Sequence, residues 1–213
     1  MLVLDNETDP DHRYLGRAIA ERLDASYRVY PDDPGPVDLS GVEGVVLSGS
    51  SASVYEAEHE PWTGPQRELI RDCITERVPL LGICFGHQLV NDALGGTVEF
   101  DGRRARLVRM TDYETGEDGV LGGVDPTVPV VHGDVVTELG EGMRSVGTSG
   151  YDPNFCARHR EAPIWTVQFH PEFRQAFVPR ISGWEPADVG FEACNAVRVL
   201  DNFARVARTA GER

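Results

Sequence analysis

The chain has 213 residues, with 35 Asp and Glu against 20 basic residues and a formal net charge of −15. Such an acidic surface repels polyanions and argues against nucleic-acid binding. No apolar run approaches the roughly 18 residues that cross a bilayer, and the start, Met1-Leu-Val-Leu-Asp5, lacks the basic-then-apolar pattern of a secretion signal.

In chain order, a short apolar strand over Met1–Leu4 gives way to a polar turn. Leu15, Ala18, Ile19 and Leu23 then recur at helical spacing, predicting a helix over Tyr14–Leu23. Ser26–Tyr30 reads as a second strand, ended by the breaker run Pro31-Asp-Asp-Pro-Gly-Pro36. Gly44–Leu47 reads as a buried third strand entering the small polar loop Ser48–Ser53. A helix over Pro65–Arg77, a strand over Pro79–Ile83 and a helix beginning near Gly86 follow. This alternation predicts crossover units on a parallel sheet. From Thr97 to Thr111 and from Val128 to Thr148, β-like runs alternate with glycine turns. Phe155–His159 and Ile164–Phe169 are the last strands, and Phe191–Ala207 has helical periodicity. With no repeat, low-complexity tract or long linker, the reading is one α/β domain over 1–213. Its sheet is mostly parallel, with helices on both faces and a small antiparallel excursion.

The strongest chemical signal is Leu80-Leu-Gly-Ile-Cys-Phe-Gly-His-Gln-Leu89, an apolar strand running through Gly82-Ile-Cys84-Phe-Gly86 into a helix. That is the pattern of a nucleophile elbow with cysteine in place of serine. It lifts the thiol above the carboxyl end of the sheet, at a helix N-terminus whose positive end favours thiolate. A buried structural cysteine is the bland alternative. A second signal is Ile164-Trp-Thr-Val-Gln-Phe-His170-Pro-Glu172-Phe. Pro171 favours extended backbone at His170, and residues two apart on extended backbone project to one side. Glu172 is thus placed to accept from one ring nitrogen while the other faces Cys84, a triad in the order Cys, His, Glu. Taken alone, His170 and Glu172 would read as a strand-end histidine near a surface carboxylate.

Gly82-Ile-Cys-Phe-Gly-His-Gln88 and Gln168-Phe-His-Pro-Glu172 resemble the signatures of the class I, triad-type glutamine amidotransferases. Leu47-Ser-Gly-Ser-Ser51, Val54-Tyr55 and His132-Gly-Asp134 agree in order and spacing. Ser53-Val-Tyr55 and the surroundings of His132 are most similar to the GMP synthetase branch. The resemblance implies a flavodoxin-like three-layer fold and hydrolysis of the glutamine side-chain amide without metal or organic cofactor. It implies attack by Cys84, proton transfer by His170 and orientation of His170 by Glu172. The oxyanion would be held by backbone N–H groups of Phe85 and of the loop at Gly49-Ser50, and Gln88, His132 and Gly133 would help hold the glutamine head group. One departure is visible: the family loop usually reads Gly-Gly-Pro, where this chain has Gly49-Ser50-Ser51. Ser50 is therefore expected in a conformation that glycine enters more cheaply.

No SGGxDS-type pyrophosphatase loop or Walker A motif is present, so the expected ammonia-using, ATP-dependent synthetase is a separate chain. The alternatives are a free-standing hydrolase of γ-glutamyl compounds with the same triad, and a non-catalytic relative. Cys73, Cys156 and Cys194 show no zinc or disulfide spacing and read as packing residues in a reducing cytoplasm. His87 reads as structural. His12, His59 and His159 read as surface residues without acidic partners, and Arg103-Arg-Ala-Arg106 as a solvated hairpin edge. All 20 basic residues are arginine, and with the acidic excess this reads as adaptation to high salt, where screening removes self-repulsion.

Overall fold

The computed structural model describes residues 1–116 and 119–211. Strands β1 (Leu2–Asp5), β2 (Ser26–Val29), β3 (Val45–Leu47), β4 (Leu80–Ile83), β5 (Thr97–Thr111), β6 (Thr127–Glu138), β7 (Met143–Ser149), β8 (Cys156–His159) and β9 (Ile164–Val167) form one sheet in the order β2-β1-β3-β4-β9-β8-β7-β5-β6. The first five strands in that order pair in parallel, and the rest are antiparallel. The antiparallel part thus takes four strands, and the β-like stretch from Val128 divides into β6 and β7 at the turn through Gly140 and Gly142.

Helix α1 (Tyr14–Leu23) and helix α4 (Arg198–Gly211) cover one face of the parallel strands. Ile19, Leu23, Val199, Leu200 and Phe203 pack there on Val3, Val46 and Leu81. Helix α2 (Glu60–Thr75) and helix α3 (Phe85–Ala93) cover the other, where Trp62, Ile70, Phe85 and Leu89 meet Leu4, Leu47 and Leu80. Covered on both sides, β3 and β4 are buried throughout, which is why they read as unbroken apolar runs.

Two helices depart from the sequence reading. Helix α2 begins at Glu60, five residues before Pro65, because Pro61 sits in its first turn, where a missing N–H costs nothing. Pro65 is carried inside the helix, giving up one bond. At the chain's end, Phe191–Ala193 is only a 3-10 turn, and extended backbone at Cys194 separates it from α4. Asn195 anchors that break by accepting the Asp125 N–H (2.6 Å) and donating to Gly123 O (3.1 Å).

Candidate active site

The carboxyl ends of β1, β3, β4 and β9 deliver Asp5, Ser48, Cys84 and His170 to one side of the sheet. The order reverses there between β1 and β3, the usual location of a ligand crevice in open α/β folds. A cleft of about 360 Å³ opens at this place, lined among others by Gly49, Ser50, Cys84, Gln88, His132, Gly133 and His170.

Cys84 stands between β4 and α3 at φ 51°, ψ −104°, a left-handed-side conformation that a side chain enters only under constraint. The constraint is local: the Cys84 N–H is held by Val167 O at 2.8 Å, and its carbonyl accepts the Gln88 N–H at 3.1 Å as α3 begins. Both flanking glycines are required by close backbone approach. A Cβ on Gly82 would meet Gly86 O at 2.5 Å, and one on Gly86 would overlap Leu47 O. Phe85 is the first residue of α3, so its N–H has no intrahelical acceptor and is open to a ligand.

His170 follows β9 and is tied to β6 by its N–H on Pro129 O (2.9 Å). Its Nδ1 donates to Glu172 Oε1 at 2.7 Å, and both residues are buried. Nε2 and the Cys84 Sγ converge on Val131 O, at 3.3 and 3.7 Å. A Cβ on Gly49 would lie 2.8 Å from His170 Cε1 and 3.5 Å from Cys84 Cβ. Burial works against the imidazolium, but Glu172 and then Cys84 outweigh it and hold His170 well above its ordinary value.

The loop at Gly49-Ser50-Ser51 contradicts one expectation. None of the three residues has a positive φ. Ser50 is therefore not strained, and Gly49 is needed for clearance from His170.

Gln88, His132 and Gly133 also line the cleft, and the side-chain nitrogens of Gln88 and His132 are already engaged. Gln88 Nε2 donates to Asp134 O (3.0 Å) and to Gln168 Oε1 (3.2 Å). His132 Nδ1 donates to Asp134 O (3.0 Å) and its Nε2 accepts from the Tyr151 hydroxyl (2.8 Å). Burial pushes His132 down to about 4, so it is neutral and has no free nitrogen for a head group. Gly133 has the Phe100 ring where a side chain would be, 2.8 Å from an added Cβ. His87 is fully buried, points to Thr166 Oγ1 (2.7 Å) on β9 and is pushed down to about 3 by burial.

Sequence reading singled out Ser48, Ser51, Ser53, Tyr55 and Asp134 only as parts of motifs, and it missed both the bonds they make and the site roles of Asp5, Asn6 and Glu7. Asp134 accepts from Ser53 Oγ (2.6 Å) and the Tyr55 hydroxyl (3.0 Å). The Ser48 hydroxyl lies 2.9 Å from Asp5 Oδ1 and accepts the Asn6 N–H at 2.9 Å. Glu7, buried beside them, binds Ser51. These bonds span 42 to 81 positions of the chain, so no local pattern shows them. Arg103 is exposed on the β5–β6 hairpin, as expected, and it also lines the cleft and donates to Ser182 O (2.7 Å), while Arg104 stacks on Tyr151 and Arg106 pairs with Glu185. One other reading needs correction. His12 and His59 do have acidic neighbours, Asp9 at 3.4 Å and Glu56 at 3.1 Å.

All four cysteines are free; Cys73 and Cys156 are buried, and burial pushes Cys73 up to about 12 and Cys156 well above its ordinary value. Among the described residues, Glu56, Glu58 and His59 alone bring three potential metal-ligating atoms within 4.8 Å of one another. Among the described residues no helix is long and apolar enough to cross a membrane.

The glutamine-hydrolyzing GMP synthase of Porphyromonas gingivalis is 38% identical over 161 residues, 74% of this chain and 30% of that protein. The chain thus spans under a third of that relative's length. One subunit of the glutamine-hydrolyzing GMP synthase of Methanopyrus kandleri is 29% identical over 177 residues, 82% of this chain and 89% of that protein. The fold is shared with a glutamine amidotransferase of Thermotoga maritima, at a TM-score of 0.71 and 19% identity, covering 99% of this chain and 97% of that one. The sequence model of the glutamine amidotransferase class-I family matches residues 3–176, which span every element from β1 to β9 and the whole Cys84–His170 side of the cleft, and the chain belongs to that family.

Proposed function

We propose that this chain, acting as a single domain, hydrolyses the side-chain amide of L-glutamine to glutamate and ammonia through Cys84, His170 and Glu172. The observation that carries the reading is the convergence of the Cys84 thiol and the Glu172-bound imidazole of His170 at the mouth of one strained elbow. His170 Nε2 takes the Cys84 proton, and the resulting thiolate sulfur bonds to the amide carbon. The oxygen takes the charge and is met by the N–H groups of Phe85 and of Gly49-Ser50. Collapse of the adduct breaks the C–N bond, and the His170 proton leaves with ammonia. Water, deprotonated by His170, then cleaves the γ-glutamyl thioester to glutamate and restores the thiol. Glu172 keeps Nδ1 protonated and Nε2 facing sulfur throughout. No step calls on a metal or organic cofactor.

Similarity to one component of a GMP synthase built from separate subunits supports delivery of the ammonia to an ATP-dependent synthetase carried on another chain, in the reducing cytoplasm that free cysteines suit. One observation favours a second reading, a free γ-glutamyl hydrolase. Arg180, Ile181 and Ser182 line the cleft from beyond the family-matched residues, so part of its wall lies outside the segment that the family model covers.

The test is ammonia release from glutamine and from γ-glutamyl dipeptides, by wild type and by Cys84→Ser. The proposal expects glutamine to be the better substrate and Cys84→Ser to lose at least about 10³-fold in kcat, an alcohol being a far poorer nucleophile than a thiolate. Full activity in Cys84→Ser refutes the nucleophile; faster cleavage of the dipeptides establishes the second reading.

A further inference from the structure

The oxyanion loop is held by a contact that involves neither the triad nor the residues usual at these positions. Ser51 donates twice to one carboxylate: its N–H to Glu7 Oε2 at 3.1 Å and its hydroxyl to Glu7 Oε1 at 2.6 Å. A proline at 51 could make neither bond. Glu7 is only 7% exposed, so its charge must be compensated by hydrogen bonds where it stands. It receives them from Ser51 and from the Asp9 N–H at 2.9 Å, while its own N–H donates to Asp5 Oδ1 at 3.1 Å. The other end of the loop is equally fixed. Ser48 Oγ lies 2.9 Å from Gly49 O, and Ser48 O accepts the Gly86 N–H at 3.2 Å. Ser50 Oγ accepts the Ala52 N–H at 3.1 Å. Gly49 and Ser50, whose N–H groups the hydrolysis uses, are thus two residues suspended between two anchors, Ser48 and Ser51. Planar peptides leave little freedom between anchors so close.

We propose that Glu7 is a positioning residue for glutamine hydrolysis: its carboxylate grips Ser51 and thereby sets the Gly49–Ser50 peptide that receives the oxyanion. The inference rests on the Cys84–His170 reading and extends it to a residue on β1's exit loop. It also gives Ser51 a purpose, since a side chain able to donate from both N–H and Oγ is what a single buried carboxylate can hold at two points.

The experiment measures kcat and KM for glutamine in Glu7→Gln, Glu7→Ala, Ser51→Ala and the double variant Glu7→Ala/Ser51→Ala. The rate of Cys84 alkylation by iodoacetamide is followed alongside, because alkylation needs the thiolate but no oxyanion donor. Loss of one oxyanion donor costs about 10²–10³ in kcat, and a donor merely loosened should cost about 10- to 100-fold. Glu7→Ala is therefore expected to lose that much kcat with KM within about threefold and alkylation unchanged. Ser51→Ala, which keeps its N–H, should lose less, and the double variant should be no worse than Glu7→Ala because both changes break one contact. A kcat within about threefold of wild type in Glu7→Ala overturns the proposal, as does a double variant whose losses multiply. Should Glu7→Ala fail to fold, Glu7→Gln and Ser51→Ala decide, and unchanged kcat in both is the refuting result. Glutaminase activity that survives complete alkylation of Cys84 would instead refute the underlying nucleophile assignment.

Discussion

At the scale of single residues, the two members of the His170–Glu172 pair should fail differently. In the proposed hydrolysis His170 supplies proton transfer at Nε2, for which the buried site has no substitute: His132 has both nitrogens bonded and His87 faces Thr166. His170→Ala should therefore lose about 10⁵-fold or more in kcat. In the same scheme Glu172 only orients the ring, through one bond of 2.7 Å. Glu172→Gln keeps an acceptor oxygen and should be milder by about ten- to a hundredfold. Steady-state ammonia release separates the two, and an active His170→Ala beside an inactive His87→Ala would reverse the roles. Cys84, His170 and Glu172 were legible because each lies in a short segment whose geometry is local, an elbow in one case and an extended His-Pro-Glu in the other. The bonds that brace them were not. Glu7 meets Ser51 across 44 positions, and Ser53 meets Asp134 across 81. A glutamate seven residues into the chain, or an aspartate after a glycine, shows nothing in sequence of the bonds that folding gives it.

At the scale of elements, the sheet was legible and the ends of helices were less so. Apolar runs fix where β3 and β4 lie, whereas the start of α2 is decided by Pro61 and the start of α4 by Asn195, which acts through Asp125 and Gly123 on a distant loop. The contact of α3 with β9 carries a prediction. His87 is buried on α3 and bonded to Thr166 of β9, and burial holds it down at about 3. In the unfolded chain it titrates near 6.5. Between those values the unfolded chain binds a proton that the folded one refuses, so the stability His87 contributes is complete above about pH 6.5 and is lost as pH falls toward 3. His132, at about 4, acts in the same direction. Asp152, pushed up to about 6 by burial, and Asp5, also raised by burial, act in the opposite one. Comparison with His87→Gln isolates the single residue: between about pH 6 and 4, wild type should lose about 1.4 kcal/mol per pH unit more than the variant. Chemical denaturation at several pH values measures the difference, and parallel profiles would show that His87 is not buried neutral.

At the scale of the whole molecule, charge sets the terms. Arginine pairs stitch the elements together. Arg22 on α1 meets Asp201 on α4 with bonds of 2.8 and 2.6 Å, and Arg67 on α2 reaches Asp92 on α3 at 2.6 Å. Pairing cannot cancel the excess, since 35 carboxylates face 20 arginines. For a chain of this length the radius of gyration is about 17 Å, while the Debye length is about 30 Å at 0.01 M salt and about 3 Å at 1 M. At low salt nearly every surplus carboxylate therefore feels the others, and unfolding relieves the repulsion by spreading them apart. At molar salt that gain disappears. Exposed ion pairs weaken over the same range, but each is worth only about 0–1 kcal/mol, so the collective term should win. The thermal midpoint is expected to rise by at least about 5 °C between 0.01 and 1 M sodium chloride, which for a chain of this size corresponds to roughly 2 kcal/mol. Chloride is the salt to use, because sulfate strengthens apolar burial in any protein and would raise the midpoint for a different reason. A midpoint that stays flat or falls in chloride would show that the acidic, lysine-free composition is not an adaptation to salt.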